Sequence, residues 1–118
     1  MGSRGTGRFG DYKPGSGGNQ NMCDKPIKGA RLEDVATCDY YVKHHVSPPV
    51  GTDIQIKATL FNGRIAVETL ATKEIIGLLP TSLNYLDICL RIGKVYHGTV
   101  TLSSLNPIPT VEVNLNVI

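Results

Sequence analysis

The 118-residue sequence contains no tryptophan, two phenylalanines and only three cysteines. It has no apolar run of membrane-spanning length and no signal peptide with a long apolar centre. The cysteines are odd in number and lack paired spacing, which is typical of a reducing compartment rather than of a secreted disulfide scaffold. We therefore expect a cytoplasmic protein that makes no membrane contact.

The sequence also lacks the common catalytic and metal-binding motifs. It has no GxSxG, P-loop, GxGxxG or HExxH pattern. The residues of metal-ligand type show no CxxC or HxxxH spacing; they are Cys23, Cys38, Cys89, His44, His45 and His97. Cys38 and Cys89 occupy apolar positions, where cysteine usually behaves as a small hydrophobic residue. We therefore expect no catalytic activity, no metal and no other cofactor.

Positive charge is concentrated near the N-terminus. Residues 1–28 carry five Lys or Arg and two Asp or Glu. Residues 29–118 carry seven Lys or Arg and eight Asp or Glu. Residues 1–21 are rich in Gly, Ser and Asn, and such a segment buries too little apolar surface to offset its ordering entropy. We therefore predict a disordered basic tail at residues 1–28 and a single folded domain at residues 29–118. Arg4 and Arg8 among the glycines resemble RGG-type segments, which bind nucleic acid.

Most of the folded domain has the pattern of β-strands. Apolar and polar residues alternate over residues 50–60, which predicts a strand with one buried face. Asn62-Gly63 then predicts a tight type I′ hairpin turn, because both residues tolerate positive φ. Further strands are predicted at residues 64–70, 75–79, 95–103 and 111–117.

One helix is predicted between strands four and five. Pro80 ends the preceding strand, and Thr81 or Ser82 can cap a helix in which leucines recur at helical spacing. Gly93 is the expected stop, because glycine adopts a left-handed conformation without a Cβ clash. We therefore predict a mainly β fold: a small OB-like or SH3-like barrel of about six strands, with one short helix at about residues 82–92.

Residues 35–46 are compatible with either a helix or a strand. Their β-branched and aromatic side chains favour a strand at residues 37–44. In a strand the adjacent Tyr40 and Tyr41 face opposite ways, so that one of them lies on the surface. An exposed tyrosine with Lys and His nearby suits base stacking or a protein contact. The residues that we expect to share this surface are Tyr40, Tyr41, Lys43, His45 and Lys94.

The second half of the chain has a specific order of motifs. Residues 63–67, GRIAV, and residues 76–80, IGLLP, are followed by the predicted helix and two strands. This order resembles the C-terminal two-thirds of a HIRAN domain, over roughly residues 51–115. The resemblance implies a modified OB-like barrel, and some members of that family attach to DNA-remodelling ATPases and bind single-stranded DNA ends. The family usually has an Asn-Pro-x-Asp-type loop before its Ala-Val strand, whereas this chain has Leu60-Phe61-Asn62-Gly63.

We expect a non-catalytic binding module. The resemblance, the tyrosines and the basic tail favour a module that binds single-stranded nucleic acid, such as a DNA end, or is accessory to a DNA-processing system. The alternative is a protein–protein interaction subunit or adaptor, which the nearly neutral charge of residues 29–118 favours. The candidate binding residues are Tyr40, Tyr41, Lys43, His45, Lys94, Arg4 and Arg8. The sequence leaves the oligomeric state open.

Overall fold

The computed structural model describes residues 22–118, which form an antiparallel β-sheet with short helices. The strands are β1 (Ile27–Arg31), β2 (Asp53–Ile56), β3 (Ala66–Thr69), β4 (Ile75–Leu78), β5 (Tyr96–Ser104) and β6 (Thr110–Val117). Their order in the sheet is β1-β6-β5-β2-β3-β4. Helices α1 (Asp39–His44) and α2 (Leu86–Arg91) follow the 3-10 turns Val35–Thr37 and Thr81–Leu83. The predicted mainly β class and the helix between strands four and five are confirmed.

The sheet curls into a half-barrel, and its two edges meet at one point. Glu33, just after β1, exchanges two backbone hydrogen bonds with Leu78 of β4, with N···O distances of 2.7 and 2.9 Å. Strands β5 and β6 approach each other closely at Gly98. A Cβ at Gly98 would overlap the carbonyl oxygen of Asn114 in β6, so only glycine fits there.

The hydrophobic core fills the concave side of this sheet. Alternate residues of β6 are fully buried, as the period of a strand with one covered face requires. Tyr96 is the largest fully buried side chain, and its hydroxyl donates a 2.7 Å hydrogen bond to the carbonyl oxygen of Cys23. Burial raises the pKa of Tyr96 to about 12, so the phenol stays neutral and keeps this bond.

The strand predicted at residues 37–44 is wrong, because this segment forms a 3-10 turn and helix α1. Asp34 has a positive φ of 58°, which turns the chain away from the sheet directly after Glu33. Asp39 in the first turn of α1 and Lys43 in its last turn carry the charges that favour a helix at those ends. The sheet still has six strands within the described residues because β1, which was not predicted, takes the place of the missing one.

The folded domain begins earlier than predicted. Cys23 and Ile27 are buried in the core, and Ile27 is the first residue of β1. Residues 22–28 are therefore part of the domain, and the boundary predicted at Gly29 lies too late in the chain. The rest of the predicted tail, residues 1–21, lies outside the described residues, so its predicted disorder is not addressed by the structure.

Two of the three cysteines are paired. Cys23 and Cys89 of α2 form a disulfide across 66 residues of sequence, with their Cα atoms 5.5 Å apart. The interpretation of Cys89 as an unpaired small hydrophobic residue is therefore wrong. Cys38 is buried and free, as its apolar position predicts.

The ends of α2 follow the prediction in part. The helix begins at Leu86 rather than near residue 82, because residues 81–83 form the preceding 3-10 turn. No side-chain hydrogen bond caps the N-terminus of this turn or of the helix, so the predicted cap by Thr81 or Ser82 is wrong. Gly93 has a φ of 96°, which confirms the predicted stop. The N–H groups of Gly93 and Lys94 bond to carbonyl oxygens of the last helical turn, the arrangement known as the Schellman motif.

The hairpin turn at Asn62-Gly63 is confirmed. Both residues have positive φ, 51° and 75°, and Phe61 and Arg64 exchange two backbone hydrogen bonds across the turn. The strand before it is shorter than predicted, since β2 ends at Ile56. Within residues 22–118, no helix is long and apolar enough to cross a membrane.

Candidate binding cleft

A cleft of about 440 Å³ lies between α1 and the end of the sheet where β3 connects to β4. Its lining residues are Tyr40, His44, Thr52, Asp53, Thr69, Leu70, Ala71, Thr72 and Glu74. We call it the Tyr40 cleft. Its volume lies within the range of known small-ligand sites, roughly 300–1,000 Å³.

Glu74 attaches α1 to the sheet at one side of this cleft. Its carboxylate accepts hydrogen bonds from His44 Nε2 at 3.1 Å and from Thr72 Oγ1 at 2.9 Å, and Lys43 Nζ lies 3.2 Å away. These contacts, the His44 bond first, lower the pKa of Glu74 from 4.5 to about 2. Glu74 is therefore ionised at neutral pH, and its two oxygens are already occupied.

Threonine hydroxyls shape the floor of the cleft. Thr69 Oγ1 and Thr72 Oγ1 lie 2.6 Å apart, and Thr69 Oγ1 also accepts a 3.1 Å hydrogen bond from the backbone N–H of Glu74. Because these bonds lie within one short connection, they hold the β3–β4 turn and place Glu74 opposite α1.

The rest of the lining includes an aromatic surface and an unpaired carboxylate. The rings of Tyr40 and His44 pack across one turn of α1, with centroids 4.4 Å apart and planes tilted by 45°. Asp53, the first residue of β2, is exposed, and its carboxylate takes part in no hydrogen bond or ion pair among residues 22–118. Among residues 22–118 no Lys or Arg lines the cleft, and Lys43 beside it pairs with Glu74, so Asp53 carries the unpaired negative charge of the lining.

The pKa values of Glu74 and Cys38 are both shifted in the direction that lowers their reactivity. A carboxylate with a pKa of about 2 is a weak base at neutral pH, and Glu74 has no unoccupied oxygen to offer. The thiol of Cys38 is buried, and desolvation raises its pKa to about 11, which leaves it protonated and unreactive. Among the described residues, no group of three His, Cys, Asp or Glu is arranged to hold a metal ion.

The structure places most of the predicted binding residues on or beside α1. Tyr40 lines the cleft and Lys43 bonds to Glu74, whereas Tyr41 and His45 stand outside the lining. His45 ends α1 with a φ of 60°. Lys94 is apart from the others and lines a second cleft with Lys57, Lys73 and Glu68. Arg4 and Arg8 lie outside the described residues.

Most cations of the domain are paired with carboxylates. Residues 22–118 contain nine Lys or Arg and nine Asp or Glu. Six of these cations form ion pairs; they are Arg31, Lys43, Lys57, Arg64, Arg91 and Lys94. Paired cations attract phosphate less, and the three lysines that share the second cleft, Lys57, Lys73 and Lys94, lie beside the carboxylate of Glu68.

Sequence reasoning missed Asp53, Thr72 and Glu74. None of them belongs to a recognisable motif, and each gains its role only because α1 folds over the β3–β4 connection. With residues 37–44 predicted as a strand, nothing in the sequence indicates a contact between this segment and Glu74, which lies 30 residues beyond His44. The false strand prediction therefore concealed the cleft.

Comparison of the chain with protein-family models, with curated proteins and with solved structures finds no match. The resemblance to the HIRAN family remains a sequence-based prediction.

Proposed function

We propose that this domain is a non-catalytic binding module that recognises a partner protein through the Tyr40 cleft. The observation that carries the proposal is the cleft itself, which is large enough for a side chain and joins an aromatic wall to a negative lining. Tyrosine is among the residues that contribute most to protein–protein binding, because it adds contact area at a low cost in entropy.

The charge of the cleft favours a protein partner over nucleic acid. A phosphate entering beside Tyr40 would meet the carboxylates of Asp53 and Glu74, and the nearest cation, Lys43, is already bonded to Glu74. Nucleic-acid binding depends on unpaired Lys and Arg, and six of the nine cations in residues 22–118 are paired. We therefore prefer the interaction-subunit hypothesis to the single-stranded nucleic-acid hypothesis.

A matched pair of tyrosine variants tests this proposal. Full-length chain, as wild type, Tyr40→Ala or Tyr41→Ala, is immobilised and incubated with lysate of the source cell, and bound proteins are quantified by mass spectrometry. We expect a partner retained by wild type and Tyr41→Ala but lost by Tyr40→Ala, with circular dichroism confirming that both variants fold. Equal retention by Tyr40→Ala would contradict the role of the cleft.

A nucleic-acid titration tests the competing hypothesis. Labelled single-stranded DNA is titrated with the full-length chain at low and at high salt. We expect no salt-sensitive binding at tens of micromolar protein, on the scale of weak non-specific affinity. Tight binding that falls steeply with salt would restore the nucleic-acid hypothesis, and Arg4→Ala/Arg8→Ala would then show whether the N-terminal residues supply it.

The oxidation state of Cys23 and Cys89 indicates the compartment in which the protein resides. Stable disulfides are typical of oxidising compartments, so this pair favours such a compartment over the cytoplasm that the odd cysteine number predicts. Lysis of source cells in denaturant that contains an alkylating reagent, followed by mass spectrometry, distinguishes the two compartments. Modification of Cys38 alone supports the disulfide and an oxidising compartment, whereas modification of all three cysteines supports the cytoplasm.

A further inference from the structure

The unpaired carboxylate of Asp53 identifies the charge that the cleft is suited to receive. Glu74 is satisfied by His44, Thr72 and Lys43, whereas Asp53 has no such partner among the described residues. The local lining is therefore negative, and a cleft with one sign of charge and partly apolar walls concentrates ions of the opposite sign. A cation is the complementary ligand.

The tyrosine ring in the lining favours arginine over other cations. A cation placed over the face of a tyrosine ring is attracted by the ring quadrupole, and arginine takes this position more often than lysine. The guanidinium group is also planar and can donate two parallel hydrogen bonds to one carboxylate. Tyr40 and Asp53 line the same cleft, so it contains both kinds of partner that a guanidinium group prefers.

The apolar part of the cleft suits the stem of such a side chain. Leu70 and Ala71 lie in the lining beside the two threonines of the β3–β4 connection. Arginine buries its methylene groups against apolar surface while its charged end reaches a polar partner. The lining thus offers separate contacts to the stem and to the head of one long basic side chain.

We propose that the Tyr40 cleft binds an arginine side chain of the partner, with the guanidinium group between the Tyr40 ring and the Asp53 carboxylate. This inference rests on the proposed function, because it specifies what the partner presents to the cleft. Lys43 and His44 remain bonded to Glu74 and do not compete for Asp53.

Nuclear magnetic resonance titration of the full-length, disulfide-bonded chain with N-acetyl-arginine-N′-methylamide tests the inference. We expect binding on the order of millimolar, as a single side chain provides, with chemical-shift changes at residues 40–44, 52–53 and 69–74. The citrulline analogue has the same shape without the charge and should bind roughly tenfold more weakly. The lysine analogue should bind more weakly than the arginine analogue.

Matched carboxylate variants locate the charge. Asp53→Asn should weaken binding of the arginine analogue about tenfold, whereas Asp39→Asn, an exposed carboxylate of α1 outside the cleft, should change it less than about twofold. Tyr40→Leu should weaken binding about threefold to fivefold while preserving bulk. The amide spectrum of each variant reports folding, and Asp53→Ser replaces Asp53→Asn if the latter is misfolded.

Equal affinity for the arginine and citrulline analogues, or no effect of removing the Asp53 charge, would overturn the inference. The result is separable from the proposed function. Loss of a captured partner in Tyr40→Ala without any binding of the arginine analogue leaves the function standing and refutes the arginine assignment. Binding of the analogue without any Tyr40-dependent partner refutes the function and keeps the cleft as a cation site.

Discussion

Helices α1 and α2 are equal in length, six residues each, and both follow a 3-10 turn, yet they are held in place by different forces. In α2, Leu86 and Cys89 are buried and the disulfide joins the helix to the start of the domain. In α1 no residue is fully buried: Tyr40 packs partly buried against the core, and the polar contacts of Glu74 attach the last turn of the helix. A helix held by the core supports the fold, whereas a helix held by polar contacts can adjust around a ligand.

The location of the cleft is consistent with this difference. Ligand-binding elements are commonly drawn from the less stable parts of a structure, because they must move or repack when the ligand enters. The Tyr40 cleft lies against α1, the more weakly held helix.

Leu86→Ala should destabilise the domain by roughly 2–5 kcal/mol, because it removes a fully buried side chain and leaves a cavity in the core. Val42→Ala on α1 is the matched control. Its side chain is 58% exposed, so the change should stay within about 0.5 kcal/mol. Chemical denaturation measures both, and a nearly neutral Leu86→Ala would mean that α2 is not packed against the core.

Loss of the disulfide should destabilise the domain by about 2–4 kcal/mol, because the bond closes a long loop in the unfolded chain. The double variant Cys23→Ala/Cys89→Ala tests this by denaturant unfolding. Wild type in reductant should approach the stability of the variant, and the variant itself should not respond to reductant. Equal stability of oxidised wild type and the variant would contradict a structural role for the bond.

Gly93→Ala should destabilise the domain by about 1 kcal/mol, a smaller effect than Leu86→Ala. The space around Gly93 is open, so the change arises from its positive φ and not from a clash. Gly93→Asn is the informative control, because asparagine tolerates this conformation better and should lose less stability. Equal losses for the two variants would argue against a backbone origin.

The contrast between the helices also explains how far the sequence could predict the structure. The signals for α2 are local: Pro80 before it, leucines at helical spacing within it and Gly93 after it. Nearby residues also determine the Asn62-Gly63 turn, and the alternating pattern of β6 gives its buried face directly. These features were predictable because their causes lie within a few residues.

The features that were not predicted have distant causes. Tyr40, Tyr41 and Val42 favour a strand by local propensity, but the positive φ of Asp34 and the contact with Glu74 hold the segment as a helix. Helix propensities are weak, and tertiary contacts often override them. The disulfide and the burial of Cys23 likewise depend on residues 66 positions apart, for which the sequence offers no spacing signal.

Glu74 attaches the last turn of α1 to the sheet through His44 and Lys43. The pKa of Glu74 is lower in the folded protein than 4.5, so its contribution is complete above pH 4.5 and is lost as the pH falls towards 2. Glu74→Gln imitates this loss at neutral pH. Cys38 lies directly before α1 and is buried beside Ala66, Ile75 and Leu78. Its thiol becomes accessible when α1 separates from the sheet, so the rate of thiol labelling reports that separation.

The most direct test is the rate at which a dithiodipyridine reagent, which reacts even in acid, labels Cys38 in wild type and in Glu74→Gln. Amide hydrogen exchange of the core strands is followed in parallel as the measure of global unfolding. We predict faster labelling of Glu74→Gln at pH 7 with unchanged core exchange, and a wild-type rate that approaches the variant's as the pH falls from 4.5 towards 2. Identical rates for the two proteins, or labelling that rises only in step with core exchange, would contradict the account.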